Sequence, residues 1–191
     1  YIIPTYGVWD KAEDIDFDSL PEQFVLKCNN DSGGIVICKD KSKLNKKDAV
    51  HLLSSRLKTN GFWYGREWPY KDVKPCILAE QYLEEIENGT DSGLTDYKIH
   101  VFNGVPKFIL VCKDRYGKSG MTETFFTDHW ERMDMKRKNQ PVSEQEIPKP
   151  AELEKMLNLA KILSKDIPFL RVDFYVVNHK LYFGELTFYP A

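Results

Sequence analysis

The chain has 191 residues, 42% hydrophobic and 13% aromatic, enough to bury a substantial core in one domain or two small lobes. Its 27 Lys and Arg nearly cancel 29 Asp and Glu, so no global field draws it to nucleic acid or anionic lipid. No apolar run approaches the ~20 residues of a bilayer span, and Tyr1 to Trp9 lacks the charged and apolar regions of a signal peptide. The expectation is a soluble, cytoplasmic protein with no nucleic-acid partner.

Phe24 to Lys27 and Ile35 to Cys38 are β-rich runs around Asn29-Asn30-Asp31-Ser32-Gly33-Gly34, the pattern of a hairpin with a flexible, glycine-bearing tip. Asn45, with Asp48 three residues on, caps a helix whose Val50, Leu53 and Leu57 share one face, with Leu52 alongside, until Asn60-Gly61. An aromatic loop follows (Phe62, Trp63, Tyr64, Trp68, Tyr70), then the strand Cys76 to Glu80 and a glycine-rich break from Asn88 to Gly93. Tyr97 to Phe102 and Lys107 to Cys112 flank Asn103-Gly104, a strong two-residue hairpin signal. From Asp128 to Pro150 the chain is charged and proline-bearing, an excursion over the surface with little regular structure. Pro150 then opens a helix whose Leu153, Met156, Leu157, Ala160 and Leu163 form a stripe that packs on a sheet. Arg171 to Val177 and Leu181 to Phe188 make a last hairpin around Asn178-His179-Lys180. Strand pairs with separate helices argue α+β rather than a doubly wound sheet.

Cys28, Cys38, Cys76 and Cys112 sit in apolar, strand-like contexts without paired short spacings, so core thiols are expected, not a zinc site, a redox pair or a nucleophile. His100 alternates with Ile99 and Val101 and reads as an ordinary solvated or hydrogen-bonded histidine, and the aromatics of 62–70 and Trp130 as local packing, with Arg66 a substrate-contact candidate.

With a three-residue loop in the last hairpin, Val177 faces Leu181, Asp173 faces Glu185 and Arg171 faces Thr187, all on one side. Two carboxylates facing each other across a strand pair repel unless a cation lies between them. Mg²⁺ prefers one or two protein carboxylates plus phosphate oxygens and water. The pattern alone equally fits two solvated charges on an exposed face.

Arg171-Val-Asp173-Phe and Gly184-Glu185-Leu-Thr187-Phe-Tyr-Pro190 resemble the closing metal-binding strands of ATP-grasp enzymes, with Thr187 where the family usually has Asn. Phe24-Val-Leu-Lys27 before Ser32-Gly33-Gly34 is similar to the strand whose Lys reaches the phosphates beneath a glycine loop. Ile77-Leu-Ala-Glu80-Gln81-Tyr82-Leu83 resembles the strand linking the lobes, where backbone groups and a Glu meet adenine. Asp96-Tyr97-Lys98 matches the Asp-X-basic strand, implying that Lys98 contacts phosphate; whether Asp96, Glu84, Glu85 or Glu87 meets the ribose stays open. Gly65 to Tyr70, Asp96 to Ile99 and Phe183 to Phe188 look like blocks of the TupA-like branch, named for teichuronopeptide biosynthesis and often labelled glycosyltransferase.

The resemblance implies an α+β ATP-grasp fold, two lobes with antiparallel sheets gripping the nucleotide. Residues 1–20 would lead in from a missing preceding domain, 21–80 form the small lobe with its glycine loop, and 81–191 the large lobe with the metal strands. It implies ATP and Mg²⁺, two ions, with Mn²⁺ as a substitute. The metal ligands would be Asp173, Glu185 and Thr187, and the catalytic residues Arg171 and Lys98. Nucleotide contacts would come from Lys27, Ser32, Gly33, Gly34, Glu80, Gln81, Tyr82, Leu83, Asp96 and Lys98. The implied reaction is ADP-forming ligation of a small-molecule or polymer-terminal carboxylate to an amine, in association with a polysaccharide-synthesis complex. A kinase and a non-catalytic nucleotide-binding module are the alternatives, and glycosyl transfer ranks lowest.

Overall fold

The structure is a computed structural model that describes every residue except 31–32, 88–89, 92, 116–119 and 190–191. It forms two compact units, residues 3–82, and residues 83–191 joined by 1–2.

In the first unit β1 (Thr5–Trp9), β2 (Phe24–Cys28), β3 (Ile35–Cys38) and β4 (Ile77–Gln81) form an antiparallel sheet in the order β1-β4-β2-β3. Strand alternation sends Phe24, Leu26, Cys28, Ile77 and Ala79 to one face, where α1 (Lys46–Leu57) covers them with Ala49 and Leu53. Fully burying such a side chain stabilises the fold by roughly 1.5–3 kcal/mol each. Asn45 caps α1 as expected, its Oδ1 accepting the N–H groups of Lys47 and Asp48 at 3.1 and 3.3 Å. Asn60 does not mark the end of α1. Its Oδ1 accepts from the Phe62 N–H at 2.9 Å and starts a second short helix, α2 (Gly61–Gly65), inside what the sequence reads as an aromatic loop.

In the second unit β7 (Asp96–Phe102), β8 (Val105–Lys113), β9 (Thr122–Thr127), β10 (Phe169–Val177) and β11 (Lys180–Thr187) make an antiparallel sheet ordered β11-β10-β7-β8-β9. A separate two-stranded ladder joins β5 (Ile86–Glu87) to β6 (Thr90–Asp91). Ile99, Val101, Ile109, Val111, Leu170, Val172 and Phe174 line one face of the large sheet, and α3 (Leu153–Leu163) lays Leu153, Met156, Leu157 and Ala160 on it. Leu163 turns outward at 38% exposure, so the stripe is shorter than its spacing predicts. The excursion from 128 to 150 runs along the outer edge of β9. Trp130 stacks on Phe126 at 4.4 Å and donates its indole N–H to the Ile147 carbonyl; the Glu123 and Thr127 N–H groups donate to the Pro141 and Glu131 carbonyls of this segment, and its Met133 N–H donates back to the Phe125 carbonyl. It protects an otherwise open sheet edge.

Two hairpin turns set the registers that matter below. Asn103 and Gly104 both have positive φ, 49° and 74°, and close β7 onto β8. Asn178 and His179 do the same for β10 and β11, with φ of 50° and 58°, so the last loop has two residues rather than three and Val177 pairs with Lys180.

Candidate active site

β10 and β7 pair so that Lys98 lies opposite Asp173, His100 opposite Arg171 and Asp96 opposite Tyr175. Alternation then places all six on the sheet face away from α3. Glu185 reaches that face by a different route from the expected pairing. The two-residue turn puts Phe174 opposite Phe183, one step out of the three-residue register, and a bulge between Val172 and Phe174 restores it, so that Val172 faces Leu186 and Arg171 faces Thr187. Gly184 and Glu185 together oppose Asp173, the two-against-one count of a β-bulge. Gly184 leaves little spare room there: a Cβ would come within 3.1 Å of the Asp173 carbonyl oxygen and 3.0 Å of the Tyr175 ring.

The side chains of this face form one ionic cluster. Arg171 Nε donates to Asp173 Oδ1 at 2.7 Å, and its Nη2 donates both to Asp173 Oδ2 at 2.8 Å and to Glu185 Oε1 at 2.9 Å. Lys98 Nζ lies 2.6 Å from Asp173 Oδ2 and 2.9 Å from Asp96 Oδ2, which also pairs with Arg115 Nη2 at 3.3 Å. Thr187 Oγ1 donates to Glu185 Oε1 at 3.3 Å. Asp173 is fully buried, whereas the Glu185 side chain is 56% exposed.

Burial pushes the Asp96 carboxyl up, against the pull of Lys98. For Lys98 burial acts downward, yet Asp96 and Asp173 together outweigh it and hold the ammonium above the ordinary lysine range. Burial and then the Asp173 charge push Glu185 up; with the side chain this exposed, the repulsion is the sounder reason. Cys112, beside the cluster, is pushed up to about 11 by burial, and none of the four cysteines is in a disulfide among the described residues. That keeps Cys112 a protonated packing group rather than a nucleophile.

His100 is buried, stacked on Phe108 at 4.3 Å, with Nδ1 3.2 Å from the Lys98 carbonyl oxygen. Burial pushes its imidazole down to about 4. A depressed folded value means the unfolded chain takes up a proton first, so stability is complete above pH ~6.5 and declines as pH falls toward 4. The 6.5 to about 4 difference amounts to about 3 kcal/mol at ~1.4 kcal/mol per unit. His100→Gln is expected to flatten the urea-melt pH profile across that window. A slope identical to the wild type's would show that the imidazole is not the sensor; the raised Asp96 acts in the opposite sense in both proteins.

In the first unit Lys27 Nζ and Glu80 Oε2 meet at 2.7 Å, so the residues read separately as a phosphate and an adenine contact pair with each other. Gly34 packs against α1: a Cβ there would come within 2.9 Å of the Arg56 Cβ and 3.1 Å of Cys28 Sγ, while one on Gly33 would meet the Arg56 guanidinium at 3.1 Å. Ser32 lies outside the described residues, as do the side chains of 86–92. Gln81 and Tyr82, with Tyr6, Gln23 and Lys39, line a shallow, open cavity of about 490 Å³. Leu83 is buried at the start of the second unit. Glu85 caps the Thr95 N–H at 2.8 Å, and Arg66 is the left-handed cap of α2 beneath the Phe62 and Trp63 rings.

Two features escaped the sequence reading. Arg115 joins the cluster from beyond β8, and nothing local marks it for that role. Asp14-Ile15-Asp16 and Asp16-Phe17-Asp18 are Asp-X-Asp triplets, the pattern that holds a sugar nucleotide's metal, but here Asp16 Oδ1 caps a turn at Asp18 and Ser19, and Asp18 pairs with Lys46 at 2.8 Å.

The cluster's donor chemistry suits a hard divalent cation. Asp173 and Glu185 both reach a single nitrogen of Arg171, and Asp96 Oδ1 is buried without a hydrogen-bond partner among the described residues, an acceptor left over. Among the described residues, no three His, Cys, Asp or Glu side chains converge as a ready-made metal site.

Two antiparallel sheets, the second bearing this cluster, constitute the ATP-grasp fold. The structure superimposes on a D-alanine–D-alanine ligase of Bacillus anthracis complexed with ATP, with TM-score 0.52 and 19% identity, covering 99% of this chain and 50% of the ligase. A second structure of that organism's D-alanine–D-alanine ligase gives 0.50 and 20%, covering 99% and 51%. The chain thus spans about half the length of these ligases. The TupA-like ATPgrasp family model matches residues 1–191, and the chain belongs to that family. No curated protein matches it. No helix among the described residues is long and apolar enough to cross a membrane.

Proposed function

We propose that the chain is the nucleotide-binding, catalytic part of an ADP-forming carboxylate–amine ligase that acts in cell-surface polysaccharide synthesis in the cytoplasm. The observation that carries this reading is the gathering of Asp96, Lys98, Arg171, Asp173 and Glu185 on one sheet face in a member of an ATP-grasp family. Solved relatives of the same fold include ATP-dependent ligases. The division of roles follows the two units: the one of residues 3–82 carries the glycine loop, and the larger one from 83 onward carries the proposed metal strands.

Asp173 and Glu185, with Thr187 beside Glu185, are the residues that would hold Mg²⁺, or Mn²⁺ in its place, as one ion or a pair. Such an ion supplies charge neutralisation and Lewis acidity at β- and γ-phosphate oxygens. Lys98 and Lys27 offset further oxygen charge, Gly33 and Gly34 with Ser32 supply backbone donors, and Glu80 to Leu83 take the adenine. A substrate carboxylate oxygen attacks the γ-phosphorus as the bond to ADP breaks. The amine then attacks the acyl carbon and inorganic phosphate leaves. Arg171 steadies the acyl phosphate, and no protein nucleophile is needed.

The test is ADP release from the full chain with ATP, Mg²⁺ and panels of sugar acids, amino acids and amines. Release that requires both a carboxylate and an amine supports the ligase; amine-independent phosphorylation points to a kinase instead. Thr187 in the usual Asn position and the internally neutralised cluster favour one other reading, a non-catalytic nucleotide-binding module. ATP binding without turnover under every pairing would select it.

A further inference from the structure

The positive charge that the two carboxylates require is supplied by the chain itself, through Arg171. Arg171 Nη2 sits 2.8 Å from Asp173 Oδ2 and 2.9 Å from Glu185 Oε1, with Nε on Asp173 Oδ1 at 2.7 Å, a fork that spans both acids. Mg²⁺ held by these oxygens would compete for them with the guanidinium. Charge points the same way: Asp96, Asp173 and Glu185 are matched one for one by Lys98, Arg171 and Arg115. A divalent ion added to a balanced cluster gains little and meets two largely buried cations, Lys98 and Arg171. A metal ion that arrives with a polyphosphate brings its own surplus of negative oxygens, toward which Arg171 and Lys98 can turn. The buried Asp96 Oδ1, without a partner among the described residues, is acceptor capacity that the resident cations leave unused.

We propose that Arg171 is a built-in occupant of the metal position, so that the protein has little affinity for a free divalent cation and takes one up only with a polyphosphate that draws the guanidinium away. The inference rests on the metal–nucleotide reading of the same site, and it adds an order of events: metal entry and release of Arg171 toward the transferring phosphate are one equilibrium, each favouring the other. Arg171 is thereby a positioning residue for the metal as well as a substrate contact.

The full chain is titrated with Mn²⁺ while the electron paramagnetic resonance signal of the free ion is followed, with and without a non-hydrolysable ATP analogue. Circular dichroism confirms folding. Arg171→Gln is expected to bind Mn²⁺ alone at least about tenfold more tightly than the wild type, within the ~5–150-fold span of ordinary site coupling. Arg171→Lys, which keeps a charge but cannot fork two carboxylates, is expected to gain a few-fold and decides the matter if the Gln variant does not fold. Mn²⁺ affinity in a folded variant no greater than that of the wild type overturns the proposal. Binding of the analogue to the wild type, measured calorimetrically, tests the nucleotide reading separately. A gain in Arg171→Gln without analogue binding sinks that reading and leaves the Arg171 gate; analogue binding without the gain does the reverse.

Discussion

Asp173→Asn is expected to lower ATP-dependent turnover by about 10²–10³-fold or more, because losing one pre-organised charge at a phosphoryl-transfer site costs about 3–4 kcal/mol of barrier. In the proposed reaction the loss should fall on kcat as well as on metal affinity, since the carboxylate would hold the ion and is bonded to both Arg171 and Lys98. The substitution also withdraws a negative charge from two largely buried cations, Arg171 and Lys98, each with a side chain 15% exposed, so stability falls too. Breaking a buried pair by removing one partner costs roughly 3–5 kcal/mol, reduced here because Asp96 and Glu185 remain. Turnover should therefore be compared well below the variant's melting temperature. A folded Asp173→Asn protein that turns over within threefold of the wild type, measured by ADP release, would remove Asp173 from the reaction.

Much of this architecture follows from local rules that a sequence displays. The Asn45 cap, the Asn103-Gly104 turn and the α3 stripe depend on residues within a few positions of one another; the cap and the turn appear where their spacing places them, and the stripe does so as far as Ala160. The last hairpin shows what escapes such rules. Its loop is one residue shorter than expected because Asn178 and His179 both accept positive φ, and its bulge inserts one residue on β11, so two unforeseen shifts cancel and Arg171 still faces Thr187. Neither is marked locally: Gly184 is legible as a glycine, but the tight fit it relieves is with the Asp173 carbonyl across the strand. The charge network escapes for a related reason. A sequence shows that Lys27 and Glu80, or Arg171 and Glu185, carry opposite charges; it does not show which cation each acid will hold.

Lys98→Met is expected to cost about 3–5 kcal/mol of stability at neutral pH, the usual penalty for stripping a buried charge of its partner. Lys98 Nζ is shared by Asp96 and Asp173, whose side chains are 4% and 1% exposed. Without it Asp173 keeps Arg171, but Asp96 is left with Arg115 alone, which is half exposed and 3.3 Å away. Asp96 is therefore the acid that bears the loss, and its carboxyl is already raised by burial. A raised folded value means the native state takes up a proton before the unfolded chain does, so lowering the pH below neutral relieves the penalty and the gap between variant and wild type narrows. Adding Asp96→Asn to Lys98→Met should recover part of the loss at neutral pH, with a favourable coupling between the two sites in a double-mutant cycle read by urea melts. Additive losses at the two positions would mean that Lys98 and Asp96 do not share a buried charge balance.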